Sequence, residues 1–509
     1  MTGDTQLETL EAKGLIRLAV LSPELEYLFR HALVQDAAYG SLLKQERRGL
    51  HQQVGEALEA LYPERRAELA AVLAMHFEQA GETDKAIAYL LAAGNFGLQR
   101  NAIAEAYAAF DRAAELLPPP DPTDPEAARR RRVEVLLGRS QTGYTFRPAN
   151  EFFAELDALV PEVEALGDSK LATRVHMLIA LGRLQAGESA TEPPVKRSLD
   201  RIAEIGEATS DPSLRALPLA LVGMGQVFSG SVRDGVEALE EAVPLLDGSH
   251  DSIGAAFARG ALAIGYAVLG EFAKADEAAR RATELAAKGD LVAQLDALIA
   301  ESIVRSARGD LEGAVPLARE CVERAEETGA SGCVVASAWV LGDAYHRQGR
   351  YAEARDVLQR GTDISGVVDR KVWRPTLQAW LGSATVALGD ADADDWEDAL
   401  ADARSIGNTQ GQAGILAKRA ETAVARGEID AAASDFAAST KLLEALGARP
   451  ALARALQGWG IAVRAAGRAA EAEPLLRRSL ALFEELGLER EAGTVRTMLS
   501  LGDIKLVLD

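Results

Sequence analysis

A chain of 509 residues is too long for one compact core, and with 48% apolar but only 5% aromatic residues its interior must be filled mainly by Ala, Leu and Val, which suits an array of closely packed helices. Its net charge of -22, from 55 Lys and Arg against 77 Asp and Glu, repels a polyphosphate backbone and argues against direct contact with nucleic acid. Two cysteines, Cys321 and Cys333, offer no disulfide framework and fit a reducing compartment.

The opening "MTGDTQLETLEAKG" lacks the basic start and apolar centre of a signal peptide, so a cytoplasmic location is expected. Its "DTQLETLEAKG" reads as a helix. "GLIRLAV" and "LEYLFRH" flank "LSPE" and read as a β-hairpin, whose second strand runs through Arg30 and His31 directly into the helix "ALVQDAAYGSLL". Residues 1–40 are thus expected to form one small segment, and residues 41–117 a first helical segment. "LLPPPDPTDPEA" (Leu116–Ala127) cannot continue a helix, which places a stiff connector at 118–127 and a helical array over 128–509. In "ARRRRVEVL", from Ala128, the four arginines spread around a helix, which suits a solvated face or an acidic partner helix better than DNA. "AGESATEPP" (Ala186–Pro194) lengthens one turn inside the array. "ALPLALVGMGQVFSGSV" (Ala216–Val232) carries no charge, but it is short for a bilayer and contains Pro, Gln and Ser, so a buried helix is expected and no membrane partner.

From Ser229 onward six segments align without gaps on Gly230, Gly270, Gly309, Gly349, Gly427 and Gly467, with Gly389 filling the remaining interval, at a period of about 40 residues. The fifth residue after each aligned Gly is small: Gly235, Ala275, Ala314, Ala354, Ala432 and Ala472. The ninth (Leu239, Ala279, Ala318, Leu358, Phe436, Leu476) and the small twelfth (Ala242, Ala282, Cys321, Gly361, Ser439, Ser479) continue the same helical stripe. A second set of turns, at Gly248, Gly289, Gly329, Gly407, Gly447 and Gly487, splits each repeat into two antiparallel helices. Such a unit cannot bury its apolar face alone, so neighbours must stack into an all-α superhelical solenoid.

"WVLGDAYHRQGRYAEARDVL", with Leu341, Gly342, Tyr345, Ala354 and Leu358 in order, resembles the tetratricopeptide repeat. The resemblance covers roughly residues 126 to 509, with weaker helices forward to about residue 65. Two departures, the longer period and the missing helix-ending Pro, are similar to the repeats in sensor arms of large bacterial regulators, and they leave the superhelical pitch open. In tetratricopeptide arrays the first helix of each pair lines the concave face. That resemblance puts Trp339, Asp343, His346 and Arg347 on the lining, as a groove for a peptide or sugar. Read from the residues alone, Trp339 fills space between repeats and the polar three are solvated.

The helix, hairpin and following helix look like the C-terminal half of a winged helix, and their junction with "RRGLHQQVGEALE" resembles that of multidomain signal-transducing bacterial ATPases, the large LuxR-type or adenylate-cyclase-associated regulators. The resemblance implies that His31, with Arg30, reads the state of a nucleotide held by an ATPase domain upstream or in another chain, and that this chain is a fragment of a longer regulator. The other reading is that the His31 ring satisfies backbone groups at a strand-to-helix corner. No Gly-Lys dipeptide occurs, so a phosphate-binding loop is missing and the chain is not expected to hydrolyse ATP by itself.

Other chemistry finds little footing. The six histidines (His31, His51, His76, His176, His250 and His346) form no zinc-binding spacing, no Gly-x-Ser-x-Gly elbow is present, and no cofactor is expected. In "GDADADDWEDAL", Asp390, Asp392 and Asp394 copy the start of a calcium loop, but Asp395 stands where Gly is needed and Ala401 where Glu is needed; helix capping explains them better. Cys321 reads as a packing residue. Four of the five tryptophans (Trp339, Trp373, Trp380, Trp396) lie in two neighbouring repeats, either as a core plug or as a recognition surface. Apolar Ile504, Leu506 and Leu508 should be covered, by fold-back or by a second copy of the chain. The expected function is a non-catalytic interaction and sensing module for a protein, peptide or small effector, with a scaffold or oligomerisation module as the alternative.

Overall fold

The computed structural model describes residues 3–20, 26–100, 102–121, 123, 125–143, 147–247, 252–287, 291–367, 372–390 and 396–500. The turn "LSPE", the acidic residues Asp392, Asp394 and Asp395, the turn glycines Gly248 and Gly289, and the tail with Ile504, Leu506 and Leu508 lie outside them. The chain divides into two compact units, residues 1–96 with 108–119, and residues 97–107 with 120–509.

The first unit opens with α1 (Gly3–Ala12) and an antiparallel hairpin of β1 (Ile16–Val20) and β2 (Glu26–Phe29), in which Ile16 pairs with Phe29 and Leu18 with Tyr27. Then follow α2 (Ala32–Ser41), α3 (Lys44–Leu61) and α4 (Ala70–Ala80), and α5 (Thr83–Gln99) and α6 (Ile103–Leu116) continue the chain. Its core forms on Leu73, Phe77 and Ala86. Phe77 fits because α3 offers Gly55: a Cβ there would lie 3.0 Å from the ring edge. By contrast α2 buries no residue at all.

The second unit is a run of helix pairs: α7 (Glu126–Gly143), α8 (Ala149–Leu166), α9 (Ser169–Gln185), α10 (Pro193–Thr209), α11 (Pro212–Ser229), α12 (Val232–Asp247), α13 (Ser252–Leu269), α14 (Phe272–Ala286), α15 (Leu291–Arg308), α16 (Leu311–Thr328), α17 (Ser331–Arg347), α18 (Tyr351–Val367), α19 (Arg374–Ala387), α20 (Trp396–Ser405), α21 (Thr409–Ala425), α22 (Ile429–Leu446), α23 (Arg449–Ala465), α24 (Ala469–Glu485) and α25 (Glu489–Ser500). The charge-free stretch from Ala216 lies mostly in α11, and no described helix is long and apolar enough to cross a membrane. Two arginines of the run in α7 find acidic partners on or just after the next helix: Arg130 pairs with Asp168 at 2.6 Å and buried Arg132 with Glu162 at 3.4 Å.

All seven aligned turn glycines have positive φ, as does each described member of the second set, so both turns of the repeat are left-handed helix ends. Every fifth, ninth and twelfth position of the six aligned repeats is buried. The small twelfth residue has a further use. Cys321 Sγ, Ser439 Oγ and Ser479 Oγ each donate to a backbone carbonyl 26 residues earlier, that of Leu295, Ala413 and Ala453, at 3.6, 2.7 and 2.8 Å. Only a short side chain lets the second helix approach the first closely enough for that bond. Burial pushes the Cys321 thiol up to about 12, so it is an inert packing group.

First and second helices of the pairs differ in kind. Along α16 exposed residues recur every three or four positions, the pattern of an outer, amphipathic helix, whereas α13, α15 and α17 have no exposed position between residues 254–270, 291–307 and 331–347. The reason is that the superhelix returns upon itself. A Cβ on Gly230 would lie 3.0 Å from the backbone nitrogen of Gln410, one on Gly270 would lie 3.4 Å from Pro450, and Gly309 abuts Glu491. Each contact spans about 180 residues, roughly four and a half repeats, which settles the pitch.

The fifth-position contact is tightest where the residue is Gly235: a Cβ there would lie 2.7 Å from the Gly223 carbonyl oxygen and 2.9 Å from the Val227 nitrogen, both backbone atoms of α11. Gly235→Ala is therefore expected to destabilise the protein by about 1–3 kcal/mol, although Ala is the better helix former by about 1 kcal/mol. The check is the thermal unfolding midpoint, and an unchanged or raised midpoint would show that α11 and α12 separate freely.

Candidate functional site

Trp339, Asp343, His346 and Arg347 recur at helical spacing and so share one face of α17. Because the superhelix is tightly wound, that face meets other first helices instead of an open groove. Trp339 packs edge-on to Trp380 of α19 with ring centroids 6.1 Å apart, and 5.5 Å from Trp373, which in turn lies 5.7 Å from Phe228 at the end of α11. Three of the four clustered tryptophans therefore form a plug that joins repeats about 145 residues apart in sequence. The fourth, Trp396, has its own surroundings.

Around the plug lies a network of charges. The Trp380 indole N–H donates to Asp343 Oδ1 at 2.8 Å, and Arg347 sits 3.6 Å from the same carboxylate. Arg347 also donates to the Ser306 carbonyl at 2.8 Å and to the Ser306 hydroxyl at 3.0 Å, on α15. Lys418 of α21 pairs with Glu421 at 2.8 Å and stands 5.3 Å from the Trp380 ring centroid. Its ammonium lies 3.4 Å from His346 Nδ1, and His346 Nε2 lies 2.9 Å from Ser383 Oγ. Since an ammonium can only donate, Nδ1 accepts and Nε2–H donates to Ser383, which fixes the neutral tautomer. Arg454 of α23 closes the far side, donating to the Ala307 carbonyl at 2.5 Å.

Electrostatics follow from this packing. Burial alone would raise the Asp343 carboxyl, but the Arg347 and Lys418 charges and the Trp380 bond outweigh it and hold the group below the usual carboxylate range. Burial, then the Lys418 charge, lowers His346 from 6.5 to about 4. Burial and the neighbouring Arg347 charge lower Arg454 as well.

All four groove residues are thus partly buried: Trp339 fills space between repeats, as the residue-level reading had it, whereas Asp343, His346 and Arg347 are internally bonded and not solvated. Lys418, Trp380 and Arg454 complete the network; of these, sequence reasoning singled out Trp380 only as one of the clustered tryptophans, and it missed Lys418 and Arg454. A signal for both existed: Lys418 in "GILAKRAETAV" and Arg454 in "PALARALQGW" are single cations inside apolar helical stripes, which a buried ionic contact would require. At the other end of the chain, His31 is the N-cap residue of α2, its ring makes no capping hydrogen bond, and both it and Arg30 are exposed. The ring therefore does not satisfy the corner's backbone groups. Among the described residues no cluster of three or more His, Cys, Asp and Glu is placed to hold a metal ion.

Paired antiparallel helices stacked at a 40-residue period, with left-handed glycine turns at both ends, make this a tetratricopeptide-like α-α solenoid preceded by a small β-hairpin. Residues 296–365, which hold α16, α17 and part of each neighbour, match the tetratricopeptide repeat family. No curated protein matches the chain. Similar solved structures include a Rap protein complexed with Competence and Sporulation Factor, at 15% identity and a TM-score of 0.45, covering 74% of this chain and 98% of that one. They also include the APC/C hetero-tetramer Cut9–Hcn1, at 13% identity and a TM-score of 0.45, covering 92% and 93%. A signal transduction ATPase with numerous domains and a tetratricopeptide repeat sensor, from Pyrococcus horikoshii, is similar at 14% identity and a TM-score of 0.40, covering 89% and 75%.

Two outcomes follow from the network. Asp343→Ala leaves the Trp380 N–H and the Arg347 guanidinium without their carboxylate, so a loss of about 2–3 kcal/mol is expected in thermal or denaturant unfolding; a loss under about 0.5 kcal/mol would mean that the face is merely wetted. The second concerns pH. The folded His346, facing Lys418, Glu421 and Asp343, stays neutral down to about pH 4, while the unfolded imidazole takes up a proton as pH falls through 6.5. Stability is therefore lost progressively between pH 6.5 and 4, and His346→Gln should remove on the order of 3 kcal/mol of that loss in a melting-temperature profile. Burial lowers His176 too, so part of the slope stays.

Proposed function

We propose that this protein is a non-catalytic interaction and sensing module, which binds a protein, peptide or small effector and relays occupancy to an ATPase or output domain of a bacterial signalling regulator. The stacked repeats supply the kind of extended surface on which such recognition is built. The observation that carries the reading is where apolar side chains stay uncovered. Among the described residues, eleven of the thirteen exposed large apolar side chains precede residue 76, and the solenoid leaves only Leu245 and Leu388. Leu33 is 81%, Leu43 70% and Leu61 69% exposed, on a segment whose α2 buries nothing. An apolar surface of that kind marks a docking face, here beside exposed His31 and Arg30, the residues that by resemblance read a nucleotide's state.

The groove on Trp339, Asp343, His346 and Arg347 remains part of the proposal as the place where occupancy would be felt, since the network there ties five first helices to one another. The alternative, a scaffold or oligomerisation module, draws on the same exposed face, with a second copy as its occupant. Leu33→Asp combined with Leu43→Asp separates the readings. Both sites are exposed, so the melting temperature should move by the equivalent of under about 1 kcal/mol. Association with a nucleotide-binding ATPase module, measured by sedimentation, should fall at least tenfold. Unchanged association overturns the relay, and a self-association of the chain alone that the pair abolishes supports the scaffold instead.

A further inference from the structure

Two of the six histidines come together in the first unit. His51 of α3 and His76 of α4 point their Nδ1 atoms at each other, 2.9 Å apart, with ring centroids 5.1 Å apart and planes inclined at 48°. The other nitrogen of His51, Nε2, lies 3.0 Å from the hydroxyl of Tyr39, on α2. The Tyr39 ring meets the His51 ring edge-on with centroids 5.9 Å apart, and the Arg47 guanidinium sits over the Tyr39 ring at 5.1 Å.

This contact matters most to α2. It has ten residues, none of them buried, and a helix of that length is marginal in water by itself. Among the described residues, Tyr39 makes the only side-chain hydrogen bond and the only ring contacts between α2 and another helix. By contrast α3 and α4 are locked together, since Phe77 lies against Gly55 and packs with Leu73. If the two imidazoles cease to bond, the helices therefore stay and a ring moves.

Proton count decides whether they bond. Two Nδ1 atoms at 2.9 Å form a hydrogen bond only while one carries a proton and the other does not. With both rings neutral either one can donate, and Tyr39 suits both cases because a hydroxyl donates or accepts. One added proton keeps the bond, the imidazolium donating to the neutral ring. A second puts a hydrogen on both Nδ1 atoms, abolishes the bond and leaves His51 between two cations, His76 and Arg47. The charged residues one helical turn from the three side chains are Arg47 and Arg48 on α3 and Asp36 on α2. There is none on α4, whose Glu78 is taken by Arg112 at 3.2 Å. Asp36 is exposed and compensates little. Burial, then the His51 charge, accordingly holds His76 below the usual histidine value of 6.5.

We propose that Tyr39, His51 and His76 form a proton-operated latch, which holds α2 against α3 while at most one of the two imidazoles is charged and releases it when both are. The latch goes beyond the interaction role proposed above and does not depend on it. In the latched pair His76 takes up its proton below 6.5, whereas the ring freed from the contact takes it up at the ordinary value. The latch is thus held above that pH and lost as pH falls below it.

The test is hydrogen exchange of the full chain, read by mass spectrometry over residues 32–41 and 70–80 at about pH 7.5 and about pH 5, each rate divided by the intrinsic rate at that pH. Protection of α2 should fall about tenfold at the lower pH, the loss of one hydrogen bond, while α4 keeps its protection. Tyr39→Phe, at an exposed position, should lower α2 protection at the higher pH to the acid level. His76→Gln cannot charge, and its amide can still donate to His51 Nδ1, so α2 should stay protected at both pH values. Equal α2 protection at both pH values in the natural chain overturns the latch, as does a Tyr39→Phe chain that behaves like the natural one. Loss of α4 protection together with that of α2 overturns it too, because the whole unit is then unfolding. A His76→Gln chain that keeps the natural pH response shows that another group opens α2, and overturns the histidine pair as the sensor.

Discussion

The structure depends on how closely the second helix of each pair can approach the first. A helix pair held together by Leu and Ile alone keeps its axes 8–10 Å apart, but small residues in the fifth and twelfth positions allow the hydroxyl or thiol of Ser439, Ser479 and Cys321 to reach a neighbouring backbone carbonyl. Repeated at every 40 residues, that close contact winds the array tightly. After about 180 residues the turn glycines at Gly230, Gly270 and Gly309 touch the starts of α21, α23 and α25, and α13, α15 and α17 are closed off from water.

That closure changes the meaning of every polar residue on the inner face. In an open solenoid Asp343 and Arg347 would be ordinary solvated groups and their pairing worth little. Here they share a partly buried network with Trp380, Lys418, His346 and Ser306, in which each group's charge or donor is needed by another. An ionic network of this kind adds less to net stability than its distances suggest, because its members also lose water; its stronger effect is on specificity, since breaking one partner strands the rest. An inner axis that is ionic at one level and aromatic at the next, where Phe228, Trp339, Trp373 and Trp380 meet, also fixes which repeats face one another across the turn.

The two units solve burial differently. The solenoid covers nearly all its large apolar side chains with its own neighbours, and its outer helices present charge to water. The N-terminal segment, with its hairpin and α2, leaves Leu28, Phe29, Leu33 and Leu43 exposed. The docking face proposed above rests on this contrast between a self-covering array and one short segment that leaves its apolar side chains uncovered.

How much of this was legible can be traced residue by residue. The repeat, its two helices, the turn glycines and the buried fifth, ninth and twelfth positions were all present in the sequence, because helix periodicity and left-handed turns are local and recur in every copy. Cys321 as a packing residue was legible for the same reason. The fate of Trp339, Asp343, His346 and Arg347 was not, because a shared helix face is a local property, whereas what that face meets depends on a superhelical turn closed by residues about 180 positions away. By itself the sequence determined the unit and its stacking; the tertiary structure alone decided the pitch, and with it which polar groups are bonded, which are wet and which still want a partner, since small changes in the angle between successive pairs add up over four and a half repeats and no single repeat encodes their sum.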